Sequence, residues 1–199
     1  TIKKLSDYSL LNGSKIRFMG VPKTIDNDLA ATDHTPGYGS AAKYIGAITK
    51  EVIRDGLVYD QQNVTILEIM GRNAGWLTGA AALAKGEDCE GPDLIYLPEL
   101  SFDLQAFSAK VKELLSQKPS VVVAVSEGIR TEDGTYVCEL GNSVDFVDAF
   151  GHKQLSGTAS YLANFIAGEI GCKTRAIELS TLQRSASHAA SRVDILEAY

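Results

Sequence analysis

Acidic and basic side chains gather in loops that follow predicted strands. The first loop holds three such residues, Lys23, Asp26 and Asp28, together with Thr24, directly after an apolar run at residues 15–21. A carboxylate near a cation stays ionised and can accept a proton from a substrate hydroxyl, and a lysine suits phosphate oxygens. A turn capped by its own Asp and Asn side chains explains the same residues without catalysis. The spacing alone therefore leaves a general base and a structural turn both open.

Four further loops place polar groups after predicted strands. The charged residues in these loops that could bind a ligand or take part in catalysis are, in chain order, Arg72, Glu99, Glu127 and Arg184. Met70-Gly71-Arg72 is a strand-to-helix turn whose backbone N–H groups could bind an anion, although glycines there also serve close packing. Because ligands of an open parallel sheet bind beyond the carboxyl ends of its strands, we expect the five loops to meet at one edge. Loops are polar in general, which explains one or two loops with charged residues well but explains five at the same edge less well.

Hydrophobic periodicity indicates the elements that position these loops. It predicts helices at 1–11, 39–57, 76–84, 104–116, 154–170 and from 187 onward, and strands at 15–21, 64–69, 93–97, 120–125 and 174–179. The run 120–125 is rich in valine, which is typical of a buried parallel strand. Asp133-Gly134 predicts the turn of a small hairpin. Strands that alternate with helices of this length predict an α/β fold with a parallel sheet.

Composition excludes several classes of protein. The chain has 199 residues, 45% of them hydrophobic, and a net charge of −6, which disfavours a nucleic-acid partner. No apolar run approaches the roughly 20 residues that span a bilayer, and the first residues do not form a signal peptide. The three cysteines are far apart and do not show the paired spacing of metal ligands, so we expect reduced thiols in a cytoplasmic protein. We expect no membrane partner.

The string from Pro22 to Asp28, PKTIDND, resembles the P-x-T-I-D-N-D signature of the phosphofructokinase family. Five further family motifs follow in family order: Glu68-Ile69-Met70-Gly71-Arg72, Pro98-Glu99, Glu127-Gly128, Thr174-Arg175-Ala176 and Leu182-Gln183-Arg184. The resemblance covers nearly the whole chain. It implies an α/β three-layer sandwich around a parallel sheet, of the phosphofructokinase type and mostly its sugar-phosphate lobe.

The resemblance implies transfer of a phosphoryl group to the 1-hydroxyl of fructose 6-phosphate, a step of glycolysis. Asp26 matches the family's catalytic base, Asp28 an acid that supports it, and Thr24 a residue at the transferred phosphoryl group. Lys23 and Arg72 match cations at the reacting phosphates. The sugar phosphate would be held by Thr24, Asp26, Met70, Gly71, Arg72, Glu127, Arg175, Thr181, Gln183 and Arg184. This division of labour suits phosphoryl transfer, where positioning and charge neutralisation supply most of the catalysis.

Several positions depart from common family sequences. Lys23 replaces the glycine of bacterial ATP-dependent enzymes and is typical of diphosphate-dependent members, although some ATP-dependent members share it. We therefore favour diphosphate over ATP as the donor. Asn63 replaces an arginine that reaches the sugar phosphate of a neighbouring subunit, Thr181 replaces histidine or tyrosine, and Ser185-Ala186 replaces Gly-Gly. We interpret these changes as an acceptor site altered in detail rather than lost.

The family's layout implies three regions. Residues 1–37 would be a remnant of the donor-binding lobe, 38–183 the sugar-phosphate-binding lobe, and 184–199 a helix that returns to the donor lobe. The donor loop and the acid that binds Mg²⁺ would precede Thr1, so Mg²⁺ is the implied cofactor and no metal ligand is expected within this chain. We expect an internal fragment of a homo-oligomeric enzyme, inactive alone. The alternative is a non-catalytic regulatory subunit of the same family, which usually loses the base or the lysine.

Overall fold

Four parallel strands form one sheet in the computed structural model, which describes residues 2–141 and 157–199. The strands are β1 (Asn63–Ile69), β2 (Leu94–Tyr96), β3 (Ser120–Ser126) and β4 (Lys173–Glu178), in the spatial order β2-β3-β1-β4. β1 pairs with β3 over all seven residues of each strand. Every residue of both strands is buried, as expected for a parallel sheet covered on both faces.

Six helices accompany the sheet in the described residues. They are α1 (Ile2–Leu11), α2 (Tyr38–Gly56), α3 (Trp76–Gly79), α4 (Leu104–Leu115), α5 (Thr158–Ile170) and α6 (Arg192–Glu197). Short 3₁₀ segments lie at Ala80–Ala84, Val137–Gly141, Ser180–Arg184 and Ser187–Ala189. None of the described helices combines the length and apolar character needed to cross a bilayer.

The two faces of the sheet carry separate apolar cores. Ile66 belongs to the core formed with α4 and α5, where Phe107 and Leu162 are fully buried. Leu67, the next residue of β1, belongs to the core formed with α2 and α3, which includes Ile45. Neighbouring side chains of a strand point to opposite faces, so β1 supplies both cores. This arrangement confirms the predicted three-layer α/β fold.

Three predicted elements differ from the structure, and one of them is the helix predicted from 187 onward, which is a 3₁₀ segment at Ser187–Ala189 followed by α6. Residues 15–21 do not form the predicted strand, and the side chains of Ile16, Met19 and Val21 are exposed. A strand requires a neighbour that pairs its backbone groups, and among the described residues no strand lies beside this run. The second half of the predicted helix 76–84 is a 3₁₀ segment. The start of the helix predicted at 154–170 lies outside the described residues, which contain it from Thr158.

Asp194 joins α6 to the N-terminus of α2. Its Oδ1 accepts a hydrogen bond from Gly37 N at 2.7 Å, and its Oδ2 accepts from Ser40 N at 2.7 Å and from the Ser191 hydroxyl at 2.8 Å. Gly37 has a φ of 89° and no side chain that could cap α2, so a residue from the other end of the chain satisfies these N–H groups. Burial raises the pKa of Asp194, but hydrogen bonds from Ser40 and Gly37 outweigh it and leave the pKa below its ordinary value.

Replacing Asp194 by asparagine should destabilise the protein by about 2–3 kcal/mol, because an amide NH₂ would face a backbone N–H donor. The loss should appear as a lower melting temperature at pH 7. Asp7→Asn, which removes only an exposed ion pair with Lys3, should change the melting temperature little. Equal melting temperatures for the Asp194 and Asp7 variants would contradict this role.

Candidate active site

The carboxyl ends of β1 and β3 form the crevice at which the site lies. These two strands are adjacent, but the chain leaves β1 into α3 on one face and leaves β3 toward α5 on the other. Such a reversal in an open parallel sheet opens a binding crevice beyond the strand ends. Arg72 follows β1 and Glu127 follows β3, so the sheet itself brings these two side chains together.

The backbones of the two loops touch at Gly128. A Cβ atom added there would lie 2.1 Å from the carbonyl oxygen of Arg72, so only glycine fits. The Ser126 hydroxyl donates to the carbonyl of Gly71 and accepts from Gly128 N at 3.0 Å. Gly71 has a φ of 138°, a conformation that side chains disfavour. These contacts fix Arg72 against the Glu127 loop.

The loop at 22–28 is held by its own polar side chains. Thr24 Oγ1 accepts a hydrogen bond from Asp26 N at 3.2 Å, and the Thr35 hydroxyl donates to the Thr24 carbonyl at 2.5 Å. Asn27 is buried with a φ of 56°, and its amide donates to the carbonyl of Asp33 at 3.1 Å. The loop is therefore a turn held by side chains, made by Thr24 and Asn27 and not by the Asp side chains that the structural alternative named, and it contains the partly buried Asp26.

Asp26 lies near side chains of both positive and negative charge. Burial raises the pKa of its carboxyl, the nearby Asp28 raises it further, and the cations Lys23, Arg72 and Arg184 oppose both effects. All four charges are near enough to act on this one group, although they come from three separate loops. A carboxyl whose pKa is raised toward neutrality is better matched to proton transfer than an ordinary aspartate.

Glu127 is the second acid of the site. Burial raises the pKa of its carboxyl to about 7; a backbone donor, Gly71 N at 3.4 Å from Oε1, lowers it, and the negative charge of Asp26 raises it. Arg72 and Arg184 also act on Glu127 and favour its ionised form. The same two arginines thus serve both acids, which marks Asp26, Glu127, Arg72 and Arg184 as one cluster.

The other predicted site residues differ in their burial and in their distance from the cluster. Met70 is half-buried against the core on the α2 face. Thr181 is exposed, whereas Gln183 is 2% exposed and its carboxamide makes no hydrogen bond to the described residues. Gln183 and Arg184 border a cavity of about 260 Å³ beside Ser40. Glu99 accepts from Gly75 N at 2.7 Å and so shapes the loop that carries Arg72.

Arg175 does not join the cluster. It pairs with Thr65 in the sheet, four residues before Ile69, which is roughly 13 Å from the carboxyl end at the usual strand rise. Its guanidinium binds the Asp55 carboxylate at 2.6 Å on the surface. Asn63 is also remote, since it is buried at the start of β1 and accepts from the Ser120 hydroxyl at 3.0 Å. A single chain therefore does not bring Arg175 to the cluster, and its predicted contact with the sugar phosphate stays a prediction.

Glu68 is a residue near the site that the sequence analysis did not single out as functional. It is 5% exposed and is the one charged residue in the fully buried strands β1 and β3. Charged residues are rarely buried without a specific partner, so an acid inside a predicted apolar strand was a signal that could have identified it.

Gly128→Ala should destabilise the protein by about 1–3 kcal/mol, because the new methyl group overlaps the Arg72 carbonyl. Melting temperatures measured by calorimetry would show the loss. The matched control is Gly168→Ala in α5, where nothing lies within 4 Å of the added Cβ and alanine should stabilise the helix slightly. A Gly128 variant as stable as the control would contradict the close approach of the two loops.

Glu127→Gln should stabilise the protein at high pH. The folded pKa of about 7 lies above the ordinary value of 4.5, so the contribution of Glu127 to stability is greatest below pH 4.5 and is lost as the pH rises through 7. The neutral glutamine avoids this decline, and we expect a gain of about 1–3 kcal/mol at pH 8. Melting temperatures of both proteins at pH 5 and pH 8 test it, since the same difference at both pH values would contradict the raised pKa.

Comparisons with known proteins identify the family of the chain. A phosphofructokinase family model matches residues 2–196. The pyrophosphate–fructose 6-phosphate 1-phosphotransferase of Halomonas elongata is 42% identical over 201 residues, which cover 100% of this chain and 47% of that protein. The protein of the same name from Xanthomonas campestris pv. campestris is 43% identical over 196 residues, with 98% and 46% covered.

A solved structure shows the same fold. The pyrophosphate-dependent phosphofructokinase from Marinobacter aquaeolei matches with a TM-score of 0.80 and 35% identity, covering 100% of this chain and 45% of that one. The chain spans about half the length of the curated relatives it matches. With a family model that matches nearly every residue and a fold shared with a solved member, the chain belongs to the phosphofructokinase family.

Proposed function

We propose that this chain carries the acceptor half of a diphosphate-dependent 6-phosphofructokinase, which transfers a phosphoryl group to the 1-hydroxyl of fructose 6-phosphate. The observation that carries the proposal is the cluster of Asp26 and Glu127 with the shared cations Arg72 and Arg184. The relatives from Halomonas and Xanthomonas are named for the same two substrates, which supports the proposal. We further propose that the protein is cytoplasmic and acts in glycolysis.

Asp26 is the base of the proposed reaction. It takes the proton of the sugar 1-hydroxyl while the hydroxyl oxygen forms a bond to the terminal phosphorus of diphosphate. The bond between that phosphorus and the bridging oxygen breaks, and inorganic phosphate leaves. Thr24 and Arg72 stand at the transferred group, and Asp28 helps to keep the pKa of Asp26 above its ordinary value. Positioning and charge neutralisation supply most of the acceleration in such transfers.

The sugar phosphate is held on the other side of the cluster. Glu127 accepts hydrogen bonds from sugar hydroxyls, and Arg184, beside the cavity of about 260 Å³, binds the 6-phosphate. Met70 and Gly71 line the sugar between these contacts. Arg175 is too far from Arg184 to share this phosphate within one chain, so we assign it to the acceptor site of a second copy in a homo-oligomer.

The donor side depends on Lys23. Its exposed ammonium group lies near Asp26 and suits a phosphate oxygen of diphosphate. Among the described residues, the cluster around Asp26 fits Mg²⁺ poorly, because Asp26 already stands among the cations Lys23, Arg72 and Arg184. We therefore expect the Mg²⁺ ligands, and most donor contacts, to lie outside residues 1–199.

The test is an assay of the protein at its full natural length with fructose 6-phosphate, Mg²⁺ and either diphosphate or ATP. Turnover with diphosphate is expected, and Asp26→Asn should lower kcat by about 10²–10⁴-fold because the base is lost. The control Asp33→Asn changes an exposed acid that contributes only its backbone carbonyl to the loop, and it should leave kcat unchanged.

Other outcomes would contradict parts of the proposal. Turnover with ATP alone would show that Lys23 does not decide the donor. Turnover with neither donor would favour the non-catalytic regulatory subunit. An Asp26→Asn variant that retains full activity would refute the role of Asp26 as the base.

A further inference from the structure

Glu68 binds the N-terminus of α5 from inside the sheet. Its Oε2 accepts a hydrogen bond from Ala159 N at 2.8 Å, and the N–H of Gly157 also interacts favourably with its carboxylate. Gly157 is the N-cap residue of α5, with a φ of 92° and no side chain that could cap the helix. The first N–H groups of a helix need acceptors, and a carboxylate is favoured there by the helix dipole. Glu68 therefore replaces the missing local cap.

The same helix end also holds the backbone of Glu127. The hydroxyl of Thr158, which lies between Gly157 and Ala159, donates to the Glu127 carbonyl at 3.3 Å. On the other side, Glu127 N donates to the carbonyl of Ile69 at 2.9 Å. Glu127 is thus held by β1 and by α5, the two elements that Glu68 joins.

Like charges surround Glu68. Burial raises the pKa of Glu68 to about 7, the backbone donors at Ala159 and Gly157 oppose it, and the negative charges of Glu178 and Glu127 raise it further. Cys138, from the 3₁₀ segment at 137–141, also lies within range of the Glu68 charge. Among these groups Glu127 is the one that belongs to the proposed acceptor site. Since the repulsion between two carboxylates is mutual, the charge on Glu68 acts on Glu127 as well.

We propose that Glu68 is a positioning residue of the acceptor site. It fixes the first turn of α5 against β1, so that Thr158 holds the backbone of Glu127, and as a buried like charge it opposes the ionisation of Glu127. The link to sugar binding rests on the proposed function, whereas the coupling between the two acids does not.

The test of the coupling needs no substrate. In the protein at its full natural length, the pKa of Glu127 is measured by carbon-detected NMR, with Glu127→Gln assigning the signal. Glu68→Gln should raise the proton dissociation constant of Glu127 about tenfold, because a like charge is removed. Exchange of the Ala159 amide should become at least about tenfold faster, because its acceptor is weakened. Glu169→Gln, the same chemical change at an exposed site of α5, should alter neither quantity.

Two more variants separate charge from position. Glu68→Asp keeps the charge but shortens the side chain, so Ala159 exchange should accelerate while the Glu127 pKa stays unchanged. Thr158→Val keeps both acids and removes the bond to the Glu127 carbonyl. It should raise KM for fructose 6-phosphate about tenfold with kcat nearly unchanged, as expected when binding but not chemistry is lost.

An unchanged Glu127 pKa in a folded Glu68→Gln variant would overturn the inference. If that variant does not fold, slow Ala159 exchange in Glu68→Asp together with an unchanged KM in Thr158→Val would overturn it equally. A wild-type protein that fails to bind fructose 6-phosphate would refute the proposed function, while the two NMR measurements would still decide the role of Glu68.

Discussion

The parallel pairing of β1 with β3 is the interaction on which the site depends. Seven consecutive pairs, ending at Ile69 beside Ser126, bring the loop that carries Arg72 against the loop that carries Glu127. Because both strands are buried on both faces, a shift of their register would misplace side chains in two cores at once. The sheet therefore sets the position of the cluster more firmly than either loop could by itself. Gly128 then allows the two backbones to touch.

The site also places acids where burial disfavours their charge. Burial raises the pKa values of Asp26, Glu127 and Glu68, the last two to about 7. Unpaired buried charge is costly, and Arg72 and Arg184 offset part of that cost at Asp26 and Glu127. The remaining cost is consistent with a site that gives up stability for chemistry, since a carboxyl with a raised pKa accepts a proton more readily and also weakens the folded state at high pH.

Sequence patterns predicted the elements better than the contacts between them. The periodicity at 39–57 and the valine run at 120–125 located α2 and β3. The order of apolar residues along each of these segments is enough to show which side chains are buried. The run at 15–21 was predicted wrongly because a strand needs a partner that composition does not reveal. Arg175 matched a family motif by its neighbours in sequence, yet its place in β4 depends on register and lies away from Arg184. Asp194 and Glu68 cap helices across long sequence separations, which no local pattern encodes.

The most direct measurement is a crystal structure of the full-length Asp26→Asn protein with fructose 6-phosphate and diphosphate bound. In that structure we expect the sugar 1-hydroxyl within about 3.2 Å of the side chain at position 26, sugar hydroxyls on Glu127, and the 6-phosphate on Arg184. A sugar phosphate bound elsewhere, with the crevice between β1 and β3 occupied by neither substrate, would contradict the central claim that the carboxyl ends of these two strands form the acceptor site.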